Sequence, residues 1–283
     1  MKKVVYVTGC LGFIGSYVTR ECLKKGWHVR GIDIETYASN PNLLEEFYKY
    51  PNFIFEETDI NDIEFLYECD YIINTAAETQ VYGDITDGEH IETDILKPSN
   101  PYSATKAAAD QLITAWGRTY NIPYVILRPT NNYGVGQYVE KLIPKSVKYL
   151  QLEKRIPLHN EGTPIRNWLH AQDTANAVIK IIESKVQNEI YNICGGFEQT
   201  NLDTVTKIIT LYHPKDEVLS ETFPHYDQRR INQYLDLDIV RKGQDVRYAL
   251  NDDKLRSLGW EPQMDFDSEL PKIVEYYKQN FIW

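Results

Sequence analysis

What the sequence lacks narrows it first. Cysteine is scarce: Cys10, Cys22, Cys69 and Cys194 fall singly among 283 residues, with neither metal-ligand spacing nor the density of a disulfide scaffold. They read as reduced thiols, mostly buried. No run approaches the roughly 18 apolar residues of a membrane span, and Met1-Lys2-Lys3 leads into a strand pattern instead of a signal-peptide core. Positive charge is in deficit as well. A formal net charge of -11 argues against nucleic acid or a membrane surface as partner, because both reward clustered Lys and Arg. Repeats, low-complexity tracts and Gly/Ser linkers are missing, which predicts a compact cytoplasmic protein of one large or two closely packed domains.

What is there begins with a short apolar run, Val4 to Val7, that ends in Thr8-Gly9-Cys10-Leu11-Gly12-Phe13-Ile14-Gly15 and continues as a helical pattern to about Lys25. In a strand, glycine turn and helix of this kind, Gly9 permits the tight turn, Gly12 lets the backbone approach a pyrophosphate, and Gly15 allows close helix packing. A second strand, Trp27 to Ile32, ends at Asp33, 18 residues after Gly15. An acid there can accept both adenosine ribose hydroxyls and repels a 2'-phosphate, which favours NAD over NADP. Strands at Phe53 to Phe55 and Tyr71 to Thr75 lead to Asp59-Ile60 and Ala76-Ala77-Glu78-Thr79, at the strand ends where such sheets bind ligands. Asp59 can equally serve only as the cap of the helix after it.

Ser99-Asn100-Pro101-Tyr102 opens a further helix, with a capping residue and a proline at the first helical position. Tyr102 and Lys106 are four residues apart and so share a face, where the ammonium and the helix N-terminus both favour a phenolate. The pair suits a general base, though the same spacing also describes an ordinary solvated face.

The glycine turn, Ala76-Ala77-Glu78, Pro101-Tyr102-Ser103-Ala104-Thr105-Lys106, Arg128-Pro129-Thr130-Asn131-Asn132-Tyr133-Gly134, Glu140-Lys141-Leu142-Ile143-Pro144 and Arg166-Asn167-Trp168-Leu169 together resemble the extended short-chain dehydrogenases. Among these, the likeness is to the dTDP-glucose and UDP-glucose 4,6-dehydratases, over nearly the whole chain. The resemblance implies an α/β fold, a Rossmann-type doubly wound parallel sheet with a smaller, discontinuous substrate domain. Residues 1–133 plus about 168–193 would form the first part, and about 134–167 plus 194–283 the second. It implies NAD held by Gly9, Gly12, Phe13, Ile14, Gly15, Asp33, Ile34, Asp59 and Ile60, with Ala76, Ala77, Tyr102, Lys106 and Asn132 completing the cofactor site. A nucleotide-diphosphate sugar would lie on Thr79, Asn131, Lys141, Leu142, Pro157, Arg166, Asn201 and Arg241. Of these Arg166 is chemically the best diphosphate ligand, since its planar fork matches phosphate oxygens; the plainer reading pairs it with a carboxylate such as Asp173. Arg241-Lys242-Gly243-Gln244-Asp245 departs from a family loop written Arg-Pro-Gly-His-Asp, which puts the rigidity of that loop in question.

The implied reaction oxidises the sugar at C4 with Tyr102 as base, eliminates water across C5 and C6, and returns the hydride to C6. The implied assembly is a homodimer. Yet between Thr75 and Pro101 lie only 25 residues, polar and rich in turn formers, too few for a crossover helix and a strand. The family's helix, central strand and Thr-Asp-Glu acid-base triplet belong there, and here Gln80 joins directly to Val81-Tyr82-Gly83. Thr86-Asp87-Gly88-Glu89 has a similar composition but reads as a solvated loop. Two other readings stand beside dehydration: a 4-epimerase or decarboxylase of the same superfamily, and a non-catalytic NAD or sugar-nucleotide binding protein.

Overall fold

The computed structural model describes residues 2–75, 81–213 and 228–280. Its first half runs β1 (Val4–Thr8), α1 (Phe13–Lys24), β2 (His28–Asp33), α2 (Leu43–Phe47), β3 (Phe53–Glu57), β4 (Tyr71–Asn74), α3 (Pro101–Tyr120), β5 (Val125–Pro129) and β6 (Asn131–Tyr133). Next come α4 (Leu142–Gln151), β7 (Ile156–His159), β8 (Ile165–His170), α5 (Ala171–Ser184), β9 (Glu189–Ile193), β10 (Phe197–Thr200) and α6 (Asn201–Tyr212). The last elements are α7 (Gln228–Asn232), β11 (Leu235–Ile239), β12 (Arg247–Tyr248), α8 (Asp253–Arg256) and α9 (Phe266–Gln279).

β1 to β4 form a parallel sheet in the order β3-β2-β1-β4. Its β-branched residues Val5, Val7 and Val29 are buried against Val18, Cys22 and Leu23 of α1 and Ala175, Ile179 and Ile182 of α5. Each such aliphatic side chain contributes about 1.5–3 kcal/mol by leaving water. A second core lies apart from this sheet, in which α4, α6 and α9 contribute Ile143, Val147, Val205, Ile208, Leu270 and Ile273 to a cluster with Tyr133 and Trp168. β8 joins the two regions: it pairs with β6 and β12 in parallel and with β10 antiparallel, and then runs into α5.

The doubly wound α/β fold is therefore present, but its parallel sheet is divided. β5 pairs with β9 alone, and β4 pairs with β1 alone, among the described residues. Residues 81–100 contain neither helix nor strand, only a single bridge between His90 and Leu250. The expected shortage is thus realised as a break in the parallel sheet, β4 and β5 being unpaired with each other among the described residues. α3 is largely uncovered: only Ser103, Ala107 and Asp110 are buried, while Leu112, Trp116 and Tyr120 are between 55% and 60% exposed. Ile72 on β4 is 54% exposed.

Three of the four cysteines are buried, all four are free, and burial pushes the Cys22 and Cys194 thiols up to about 12. They are unreactive fillers. Among the described residues no helix is long and apolar enough to cross a membrane, and no His/Cys/Asp/Glu group could hold a metal.

Candidate active site

The glycine turn is built for close approach. Gly9 has φ +69°, and a Cβ on Gly15 would sit 2.0 Å from the Gly9 carbonyl oxygen, so neither position takes a side chain without moving the backbone. α3, α5, α6 and α9 each have a side chain accepting from a first-turn amide: Asn100, His170, Thr200 and Asp265. α1 has none, because Gly12 is its capping residue, so its amide donors lack a side-chain acceptor where a pyrophosphate would supply one. Phe13 and Ile14 occupy that first turn, half-buried.

Asp33 is buried and held by three donors: Leu11 N at 2.9 Å, Glu35 N at 3.0 Å and Ser39 Oγ at 2.7 Å. They fix its carboxylate at the carboxyl end of β2 with lone pairs to spare for ribose hydroxyls. Ile34 and Ile60, both nearly half exposed, lie beside Asp33 and Asp59. Asp59 caps the short helical turn after β3, accepting from Asn61 N at 2.8 Å. Ala76, Ala77 and Thr79 lie outside the described residues. The donor set otherwise fits NAD.

α3 carries the candidate pair. Asn100 accepts from Ser103 N at 2.9 Å, Pro101 starts the helix, and one turn on the Lys106 ammonium stands 5.3 Å from the centre of the Tyr102 ring. Tyr102 is half exposed and so accessible to a ligand. Asn121, in the left-handed region at φ 55°, ends the helix.

Arg166 is 8% exposed, and its Nη1 donates to the carbonyls of Ile165 at 2.7 Å and Asp245 at 3.1 Å. The suggested pairing with Asp173 does not occur. Asp173 instead accepts from Gln263 N and Met264 N, where it anchors the approach to α9. No described carboxylate comes close enough to pair with Arg166. Burial pushes its pKa down, while the nearby charges of Asp245 and Asp84 push it up. A buried guanidinium satisfied only by carbonyls retains most of its charge for an anionic ligand.

The remaining expected ligands are spread over several elements. Asn131 on β6 has a buried side-chain oxygen without a partner, so its amide is not committed to the interior. Asn132 donates to Thr130 O at 3.1 Å and accepts from Thr174 Oγ1 at 2.6 Å, tying β6 to α5 and leaving one N–H for a cofactor. Lys141 precedes α4 and stands 3.4 Å from Glu140, Leu142 opens that helix, and Pro157 lies on β7. Asn201 is buried at the start of α6, and Arg241 is exposed.

The 241–247 loop is well fixed despite lacking the family's Pro and His. Arg241 N donates to Asn160 Oδ1 at 2.9 Å, and Asn160 Nδ2 donates back to Arg241 O at 3.3 Å. Gly243 takes φ +69°, and Val246 N and Arg247 N both donate to Asp84 Oδ1. Asp245 between them accepts from Ser99 Oγ.

Sequence reasoning missed a buried polar cluster behind α3. Arg128 Nε donates to Asp110 at 2.8 Å, and its Nη1 donates to the Tyr82 hydroxyl, which donates to Asn192 at 3.1 Å. Its signal was present: Ser103, Ala107 and Asp110 recur at helical spacing on one face, and an acid on such a small-residue face requires a buried partner.

A cofactor-binding α/β enzyme with a tyrosine and lysine pair is what this geometry defines. The chain belongs to the NAD dependent epimerase/dehydratase family, whose pattern matches residues 5–83 and again 79–194. The dTDP-glucose 4,6-dehydratase of Neisseria gonorrhoeae is 34% identical, with 99% of this chain and 96% of that protein covered. The low-salt glycan biosynthesis protein Agl12 of Haloferax volcanii is 31% identical over 96% of this chain and 98% of its own. The solved dTDP-glucose 4,6-dehydratase of Bacillus anthracis, in complex with NAD, superimposes with a TM-score of 0.84 at 30% identity, covering 98% of this chain and 97% of that one. The gonococcal alignment spans 342 positions, 59 more than the 283 residues here (342 − 283), and the two stretches matching the family meet at residues 79–83. Residues 79–83 fall within the 25-residue stretch between Thr75 and Pro101.

Proposed function

We propose that the protein is an NAD-dependent nucleotide-sugar 4,6-dehydratase acting on dTDP- or UDP-glucose or a related hexose. The observation that carries this reading is the buried, carbonyl-satisfied Arg166, joined through the Asp245 loop to the helix that bears Tyr102 and Lys106. It supports reading Arg166 as a diphosphate anchor and Tyr102 as a sugar-hydroxyl base on one connected frame. Tyr102, as the phenolate that the Lys106 ammonium stabilises, takes the proton of the 4-hydroxyl and becomes the phenol. Bound NAD supplies the hydride acceptor. Arg166, Asn131 and Asn201 hold the diphosphate, Arg241 supports them, and Lys141, Leu142 and Pro157 contact sugar or base.

Elimination of water needs an acid and a base of its own, and the family's Thr-Asp-Glu triplet has no counterpart before Val81. That absence favours a second reading for the 283-residue chain: binding and C4 oxidation with little dehydration. Incubation with NAD and dTDP-glucose or UDP-glucose, followed by proton NMR, separates the readings. A 4-keto-6-deoxy product supports dehydration, a 4-keto hexose supports arrest after oxidation, and inversion at C4 indicates an epimerase. We further assign residues 1–133 plus about 168–193 to the nucleotide lobe, the cytoplasm as the location, and a homodimer through the apolar face of α3, which sedimentation velocity tests.

A further inference from the structure

The 241–247 loop touches two parts of the site that chemistry needs to act together. Asp245, 3% exposed, accepts from Ser99 Oγ, one residue before the cap of α3, and its own backbone carbonyl accepts from Arg166 Nη1 at 3.1 Å. The loop also backs directly onto that cap, since a Cβ on Gly243 would lie 3.3 Å from Ser99 O and 3.8 Å from the Asn100 Cβ. Its ends are anchored elsewhere, on Asn160 and on Asp84. A shift of the Arg166 side chain on gripping a diphosphate therefore moves a segment whose Asp245 carboxylate holds the start of α3. Burial raises the pKa of Asp245, and Ser99 and Arg166 counter it.

We propose that Asp245 is a positioning residue that couples the grip on the substrate diphosphate at Arg166 to the first turn of α3, and so to the placement of Tyr102. The coupling rests on the proposed function only for what the diphosphate belongs to. Misplacing a reacting group by about 1 Å can cost about a hundredfold in rate, so a single hydrogen bond at the helix start suffices to matter. Asp245 touches neither sugar nor cofactor. Its effect passes through Ser99.

Amide hydrogen exchange across residues 99–106 tests this in the ligand-free protein, without any turnover. Asp245→Ala and the milder Ser99→Ala should both speed exchange there by about tenfold or more while α6 and α9 keep wild-type rates. Asp245→Asn, whose amide oxygen still accepts from Ser99, should stay near wild type. With dTDP or UDP as probe, exchange over 99–106 should slow in the wild type and not in Ser99→Ala. Where the protein turns over, Asp245→Ala should lower kcat by about 10- to 100-fold with the dissociation constant for dTDP or UDP within about threefold. Unchanged exchange at 99–106 in both Asp245→Ala and Ser99→Ala overturns the proposal, as does a uniform acceleration over the whole chain. A wild type that exchanges as described but makes no keto sugar counts against the proposed function and leaves the coupling standing.

Discussion

The two sides of the parallel sheet differ in how completely they are closed. On the β3-β2-β1-β4 side, α1 and α5 cover one face, and Val5, Val7, Val18 and Val29 are at most 1% exposed. On the β5-β9 side, α3 presents Leu112, Trp116 and Tyr120 to water, and β5 has no second neighbour among the described residues. The closed side needs only residues 2–75 and α5. The open side needs a strand and a helix that 25 residues between Thr75 and Pro101 cannot form. The buried Arg128, Asp110, Tyr82 and Asn192 cluster holds α3 in place there, doing by polar contacts what apolar packing does on the other side. An open strand edge beside exposed aromatics is also a surface prone to association.

Substitutions should act according to side. Tyr102→Phe is expected to lower keto-sugar formation by about 10²–10⁴-fold, with NAD affinity retained, because it removes the base and leaves the closed side untouched. Steady-state product assays and cofactor titration check both halves of that statement. Arg128→Met leaves Asp110 buried without its partner and should cost about 3–5 kcal/mol in denaturant unfolding. A loss under about 1 kcal/mol would mean that α3 is held by something else. Grafting the gonococcal segment between Gln80 and Val81 should sharpen the contrast by completing the sheet, seen as lower binding of a hydrophobic dye and a higher Tm.

His170 gives the closed side a pH dependence. It caps α5 by accepting from Gln172 N at 3.1 Å and packs against Tyr17 of α1, and burial holds its pKa down at about 4 from an ordinary 6.5, with Glu269 and Lys272 the charges facing it. The unfolded chain therefore binds this proton first as pH falls. The contribution is complete above pH 6.5 and is lost progressively towards pH 4, about 3 kcal/mol in all. His170→Asn keeps a capping oxygen and should flatten stability between those limits, measured by urea unfolding across pH. The smallest effect is expected from Trp116→Gln: the side chain is 55% exposed, so the change should stay within about 0.5 kcal/mol.

Much of this was legible in the residues. Gly9, Gly15 and Asp33 announce themselves because only glycine fits the turn and only an acid suits the ribose, and Asn100-Pro101 marks the start of α3 by its capping chemistry. The shortage after Thr75 could be counted. Partners distant in sequence could not be: Arg166 lies 79 residues from Asp245, and Ser99 is 146 from it, so neither contact leaves a periodic trace. The same holds for the pins at Asn160 and Asp84 that replace the rigidity of a proline.

That Tyr102 is the base when bound NAD oxidises a nucleotide sugar held by Arg166 is tested most directly by a single-turnover reaction with dTDP-glucose and NAD, followed by the near-ultraviolet absorbance of reduced cofactor. Absorbance that rises in the wild type, is absent in Tyr102→Phe and requires far more substrate in Arg166→Met is the predicted result. An equal rise in wild type and Tyr102→Phe, or no rise and no keto sugar in the wild type, would contradict it.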